Sequence, residues 1–106
     1  MAGVLISVPK SVPRGAVFEI RTLLSHPMET GFRPGTNGTI IPRDIVRRFE
    51  CHYDDVEIFA MTLSPAVAAN PFIAFRTIAT ETGTLAFRWT GDNGFAVEEK
   101  RPIVVE

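Results

Sequence analysis

Ile45-Val46-Arg47-Arg48-Phe49-Glu50-Cys51-His52-Tyr53 is the stretch on which the reading of the fold turns. Ile45, Phe49, Cys51 and Tyr53 fall on one face of an extended chain, with Arg48, Glu50, His52 and Asp54 opposite. That period of two is the mark of a half-buried strand. Asp54-Asp55 then makes a tight-turn candidate, and Val56 to Leu63 reads as the returning strand. The same alternation extends outward in both directions. In Val17 to Leu24, Phe18, Ile20 and Leu24 share a face against Glu19 and Arg21, and Leu5 to Val8 reads as a short first strand before Pro9, Pro13 and Gly15. Downstream, Phe72 to Ala79 is a further strand, and Thr82-Gly83 turns into Leu85 to Trp89 with Leu85, Phe87 and Trp89 inward. Gly91-Asp92-Asn93-Gly94 is a hairpin signal leading into Phe95 to Val105. Pro102 cannot donate to a ladder, so this last strand is expected to be bulged or at an edge there.

Short strands at this spacing, with helical periodicity scarce, predict an all-β chain: an immunoglobulin-like β-sandwich of about seven antiparallel strands. The 106 residues make a single domain, 1–106, with no repeat, linker or low-complexity tract. A domain of this size buries roughly 65% of its unfolded surface and folds without staples. With Cys51 as the one cysteine there is no internal disulfide, and cysteine usage does not identify a redox compartment. The net charge of −1, from 11 basic and 12 acidic residues spread without blocks, argues against a nucleic-acid footprint. No apolar run of about 18 residues is present, so no membrane span is expected. Met1 to Pro9 lacks a basic n-region, and its apolar run is short for a signal peptide. Taken alone, that leads to a cytoplasmic expectation.

Two segments between strands are less generic than the rest: His26-Pro27-Met28-Glu29-Thr30-Gly31 and Pro65-Ala66-Val67-Ala68-Ala69-Asn70-Pro71. Elaborated loops on a rigid scaffold are where function concentrates. The connection from Ser25 to Asp44 is too long for a hairpin loop and carries Pro27, Gly31, Pro34, Gly35, Asn37-Gly38 and Pro42. Asn37-Gly38 is placed to close a small excursion hairpin. The whole connection reads equally as a docking surface and as a structured crossover. His26 reads equally as a titrating or docking side chain and as a turn histidine with a satisfied imidazole. Asn70-Pro71 is first a turn initiator and second a contact. Arg43-Asp44 and Arg47-Arg48 read as a solvated charged face rather than an anion site.

The chemistry readings are weak. His26, Met28, Cys51, His52 and Met61 invite comparison with a copper site, but Cys51 and His52 are strand neighbours and leave opposite faces. Cys51 between Phe49 and Tyr53 reads as a small core hydrophobe rather than a nucleophile. Ser25-His26 is a neighbour pair and not a dyad. Nothing in the sequence brings Glu29 and Glu81 together. Gly35 to Gly38 lacks the Lys-Ser/Thr and helix of a phosphate loop.

Four motifs in order resemble the SoxZ family: Ile20-Arg21-Thr22-Leu23-Leu24-Ser25-His26-Pro27-Met28-Glu29-Thr30-Gly31, Ile41-Pro42-Arg43-Asp44-Ile45, Pro65 to Pro71, and Trp89-Thr90-Gly91-Asp92-Asn93-Gly94. Members of that family are the Z subunit of the SoxYZ carrier complex of bacterial thiosulfate oxidation. The resemblance implies an immunoglobulin-like sandwich that pairs with a SoxY-type subunit as a heterodimer. That partner bears a mobile C-terminal arm whose glycine-flanked cysteine carries the sulfur intermediates while other pathway enzymes act on them. It further implies that the Z subunit is non-catalytic, has no cofactor, and reaches the periplasm by co-export with its signal-bearing partner. The ending Ile103-Val104-Val105-Glu106 matches the Z and not the Y subunit, and Cys51 is not placed to be a carrier thiol.

The expected function is therefore a scaffold that binds the carrier subunit and helps present its arm. His26, Met28, Glu29 and Asn70 are the candidate partner-binding residues, and alanine at Met28 and Glu29 is expected to weaken the complex. A module binding a small molecule through the 25–44 loop is the alternative. An isolated chain is expected to be able to self-associate through its sheet edges.

Overall fold

In the computed structural model, which describes residues 3–106, the alternating segments form eight strands. They are β1 (Val4–Ser7), β2 (Ser11–Val12), β3 (Val17–Leu24), β4 (Val46–Tyr53), β5 (Val56–Thr62), β6 (Phe72–Ile78), β7 (Gly83–Gly91) and β8 (Ala96–Val105). A single 3-10 turn, Asp92–Gly94, joins β7 to β8. The strands make two sheets, a three-stranded one ordered β1-β3-β6 and a five-stranded one ordered β2-β8-β7-β4-β5. Cys51 is free and buried.

All seven expected strands are present. The departure is β2, two residues long, which pairs parallel to β8 through Ser11–Val104 and Val12–Val105. The sandwich thus has eight strands and is not wholly antiparallel. Pro102 sits opposite Thr84 in an unbroken β7–β8 ladder, so of the expected bulge or edge it is the edge that holds. It lies in the part of β8 that β2 leaves uncovered, where a missing N–H costs no ladder bond. β4 breaks register in two places, between Cys51 and His52 against β5 and between Val46 and Arg48 against β7, the latter letting Ile45 and Val46 both turn inward. Asp54 and Asp55 take φ of 47° and 68°, the mirror-image turn that suits the twist of the β4–β5 hairpin.

The inward faces meet around Phe49. Its ring lies 5.0 Å from Trp89, 6.0 Å from Phe75 and 6.1 Å from Phe59, centroid to centroid. Phe59 and Phe75 stack at 4.4 Å across the two sheets. They close the side of the sandwich where β5 and β6 are open edges. Buried aromatic area of this kind dominates core energetics. The molecule measures 58 × 21 × 20 Å. A ten-residue strand such as β8 spans only about 33 Å, so the end loops supply the rest of the long axis.

The long 25–44 connection is a structured crossover that carries the chain from the three-stranded to the five-stranded sheet. Glu29 and Asp44 bridge at its base, exchanging backbone hydrogen bonds of 2.8 Å each way. Beyond that base, Arg33 to Ile41 forms the expected excursion hairpin. Ile41 N–H donates to Arg33 carbonyl, and Gly38, at φ 82°, makes the turn.

Candidate functional site

The two segments singled out by sequence form one corner. His26 N–H donates to Asn70 Oδ1 at 2.9 Å, and Asn70 N–H donates back to His26 carbonyl at 2.8 Å. Asn70 reaches this pose with φ 54°, a left-handed conformation that asparagine tolerates. Asn70-Pro71 is therefore a turn and a clasp at once. Sequence reasoning treated the two segments separately, because nothing in linear spacing shows their reciprocal bond.

His26 and Met28, two of the four candidate partner-binding residues, pack inward rather than standing on the surface. They are 5% and 4% exposed. Met28 adopts φ 51°, which turns its side chain inward. Its sulfur then accepts the Val46 N–H at 3.3 Å at the bulge of β4. The imidazole of His26 accepts Met28 N–H on Nδ1 at 2.9 Å and packs edge-on against Phe95 at 4.8 Å. Nε2 lies 3.9 Å from Asp44 Oδ1. With Nδ1 accepting, Nε2 is the ring nitrogen left to donate, on the Asp44 side. Both side chains brace the corner from inside. Glu29 pairs with Arg33 at 2.7 Å, and that hydrogen bond and charge hold its carboxyl below the usual range despite some desolvation. Asn70 is exposed and lies beside β1 and β3, where direct contact is sterically open.

Asp92, read in the sequence only as part of a hairpin signal, anchors the crossover. Its carboxylate accepts Arg43 Nε at 2.9 Å and Nη2 at 3.0 Å, and the Ile45 N–H at 3.2 Å. Arg47 adds an ion pair at 3.4 Å. Arg43 and Arg47 thus belong to a defined network. Partial burial pushes the Asp92 carboxyl up, but the Arg43 and Ile45 hydrogen bonds and the two arginine charges outweigh it and leave it below its ordinary value.

Cys51 is fully enclosed, and burial pushes its thiol up to about 12. A thiol held that far from ionisation is a poor nucleophile at neutral pH. His52 faces outward, as the strand period requires. There it meets Glu50 and Glu57, with ligand atoms within 4.8 Å of one another. Arg48 already fills the space between the carboxylates, donating to Glu50 at 2.7 Å and to Glu57 at 3.2 Å. A divalent cation would have to displace that guanidinium. Sequence spacing hides the group because Glu57 arrives from β5, opposite His52.

The outer faces of the two sheets differ. That of the five-stranded sheet is a lattice of charge, including the Arg48–Glu50–Glu57 pairs and, farther across, Arg88, Glu98 and Lys100. That of the three-stranded sheet carries a cross-strand row Leu5–Leu23–Phe72, in which Leu5 is 69% and Phe72 61% exposed. At the opposite end Val17 pairs with Ile78, and Glu19 with Arg76 lies between. Two hollows, of about 380 and 330 Å³, share Leu5 and Leu23, and Asn70 borders the first. From the 25–44 connection the first hollow takes only Ser25. Leu23-Leu24 and Phe72-Ile73 were the available signal, since adjacent apolar residues in a strand leave one of them on the outer face.

Among solved structures, the superoxide reductase (neelaredoxin) from Ignicoccus hospitalis is similar in fold. Its TM-score is 0.77 at 19% identity, over 97% of this chain and 80% of that one. The sulfur carrier protein SoxY from Chlorobium limicola f. thiosulfatophilum is similar with TM-score 0.67 and 14% identity, over 97% of this chain and 78% of that one. At such identities both show the architecture alone. No curated protein matches the sequence. No helix among the described residues is long and apolar enough to cross a membrane. The profile of the sulphur oxidation protein SoxZ matches residues 6–101, from the first strand into the last and so across both sheets and the crossover between them. The chain belongs to the SoxZ family of sulphur oxidation proteins.

Proposed function

We propose that this chain is a non-catalytic scaffold that binds a SoxY-type carrier subunit and helps present the sulfur intermediates bound to that subunit's cysteine. The observation that carries this reading is the family match over residues 6–101. Enclosure of Cys51 supports it, because the chain's own thiol is withheld from sulfur exchange. The working compartment in this reading is the periplasm, reached together with the signal-bearing partner, and the complex is a heterodimer that other thiosulfate-oxidising enzymes visit.

The test is capture with this chain as bait from the periplasm of thiosulfate-grown native cells, followed by intact mass spectrometry. A stoichiometric partner with sulfur adducts on a C-terminal cysteine is the expected result. A bait recovered alone overturns the scaffold reading. Recovery of bait and partner only from the cytoplasmic fraction overturns the assigned compartment.

A further inference from the structure

The outer face of the three-stranded sheet is built unlike the rest of the surface. Its strands are apolar on both sides: Ile20, Leu24 and Ile73 point into the core while Leu5, Leu23 and Phe72 point out. Exposed large side chains in register across three strands form one patch rather than scattered singles. Nothing in the strand ladder demands them, since Glu19, Arg21 and Arg76 show that polar residues fit the same face. The two hollows along Leu5 and Leu23 give the patch relief.

Charge narrows the occupant. Arg21 is paired with Glu19 at 2.6 Å. Arg76 has no ion pair among the described residues, although it stands cross-strand from Glu19. The face therefore carries an excess of positive charge beside its apolar row. The complementary surface is apolar with carboxylates placed to meet Arg76 and Arg21. An antiparallel sheet face is matched in shape by another sheet face, packed about 10 Å away.

We infer that the Leu5–Leu23–Phe72 face docks a sheet face of a like-folded partner chain, apolar and flanked by acidic side chains. Asn70 lies at the margin of the contact. This rests on the scaffold reading above, in which the partner is the carrier subunit. The SoxY from Chlorobium limicola shares the fold over 97% of this chain, so two sandwiches of one architecture are what must meet. The charged outer face of the five-stranded sheet stays free in such a pair.

The experiment measures binding of the full chain to its carrier subunit by calorimetry, with wild type, Leu5→Glu, Phe72→Glu, Arg76→Glu and the opposite-face control Arg88→Glu. The side chains of Leu5 and Phe72 are exposed, so their replacements leave the core intact, which circular dichroism checks. The expected result is a loss of 100-fold or more in affinity for Leu5→Glu and Phe72→Glu. Arg76→Glu is expected to lose about tenfold, with a weaker dependence on salt, and Arg88→Glu to bind as wild type. Wild-type binding that survives all three substitutions on this face overturns the docking face while leaving the scaffold reading intact. A wild-type chain that does not bind the carrier at all overturns both. A stable dimer of the isolated chain that Phe72→Glu dissociates, with carrier binding unchanged, makes a second copy the occupant and overturns the inference.

Discussion

Asp92 shows how much one side chain sets in this molecule. Four contacts converge on its carboxylate, and they hold the end of the crossover and the start of β4 onto the turn between β7 and β8. Its folded carboxyl is held below its unfolded value, so the proton is bound more readily by the unfolded chain. The stabilisation is therefore present at neutral pH and is lost as the pH falls through the lowered folded value. Asp92→Asn is expected to lower the urea midpoint at pH 7, and its gap from wild type is expected to close progressively in acid. Urea titrations at several pH values check this. A gap independent of pH would assign Asp92 a role without charge. Gly91, its neighbour, is constrained by space rather than by conformation. A Cβ there would stand 2.3 Å from the Ile45 carbonyl oxygen, backbone that has nowhere to move. Gly91→Ala is expected to cost at least about 2 kcal/mol, as overpacking does, read as a lower thermal midpoint. At this scale the sequence was partly legible. Cys51 faces inward as the strand period predicts, whereas the inward packing of His26 and Met28 was hidden, because left-handed turns at Met28 and Asn70 cannot be read from spacing.

Strands were legible wherever one face of the chain alternates, as in β3, β4 and β7. β2 was not, since two residues cannot show a period of two and its parallel partner lies more than ninety positions away. The crossover was recognised by its length and prolines, and Asn37-Gly38 marked its excursion. The excursion is an element in its own right. Its base is tied by the Glu29–Asp44 bridge, and its outer part presents Phe32 and Ile40 to solvent. Replacing residues 34–40 with a short glycine-serine turn is therefore expected to leave the sandwich folded, with a thermal midpoint within a few degrees of wild type. Differential scanning calorimetry checks this. A drop above ten degrees would mean that the hairpin packs into the fold rather than standing on it. The apolar outer row was legible only in its parts, the adjacent pairs Leu23-Leu24 and Phe72-Ile73. Leu23 and Phe72 become one row only once β3 and β6 are paired in register, which the sequence does not state.

Across the whole molecule, the fold class was legible and the shape was not. The radius of gyration is 16.2 Å, against about 13 Å for a compact domain of this length. Small-angle scattering of the isolated monomer is expected to return a value near the larger figure, and a value near the smaller one would mean that the end loops fold back. Sulfur chemistry is a property of the family and not of any periodicity in the chain. The elongation has its own consequence. With a long axis of 58 Å and a screening length of about 8 Å in physiological salt, the two tips of the rod do not sense one another's charge. The docking inferred above borders the end that carries Asn70 and leaves the far tip as a separate address. A charge placed at one end does not alter encounter rates at the other through the field.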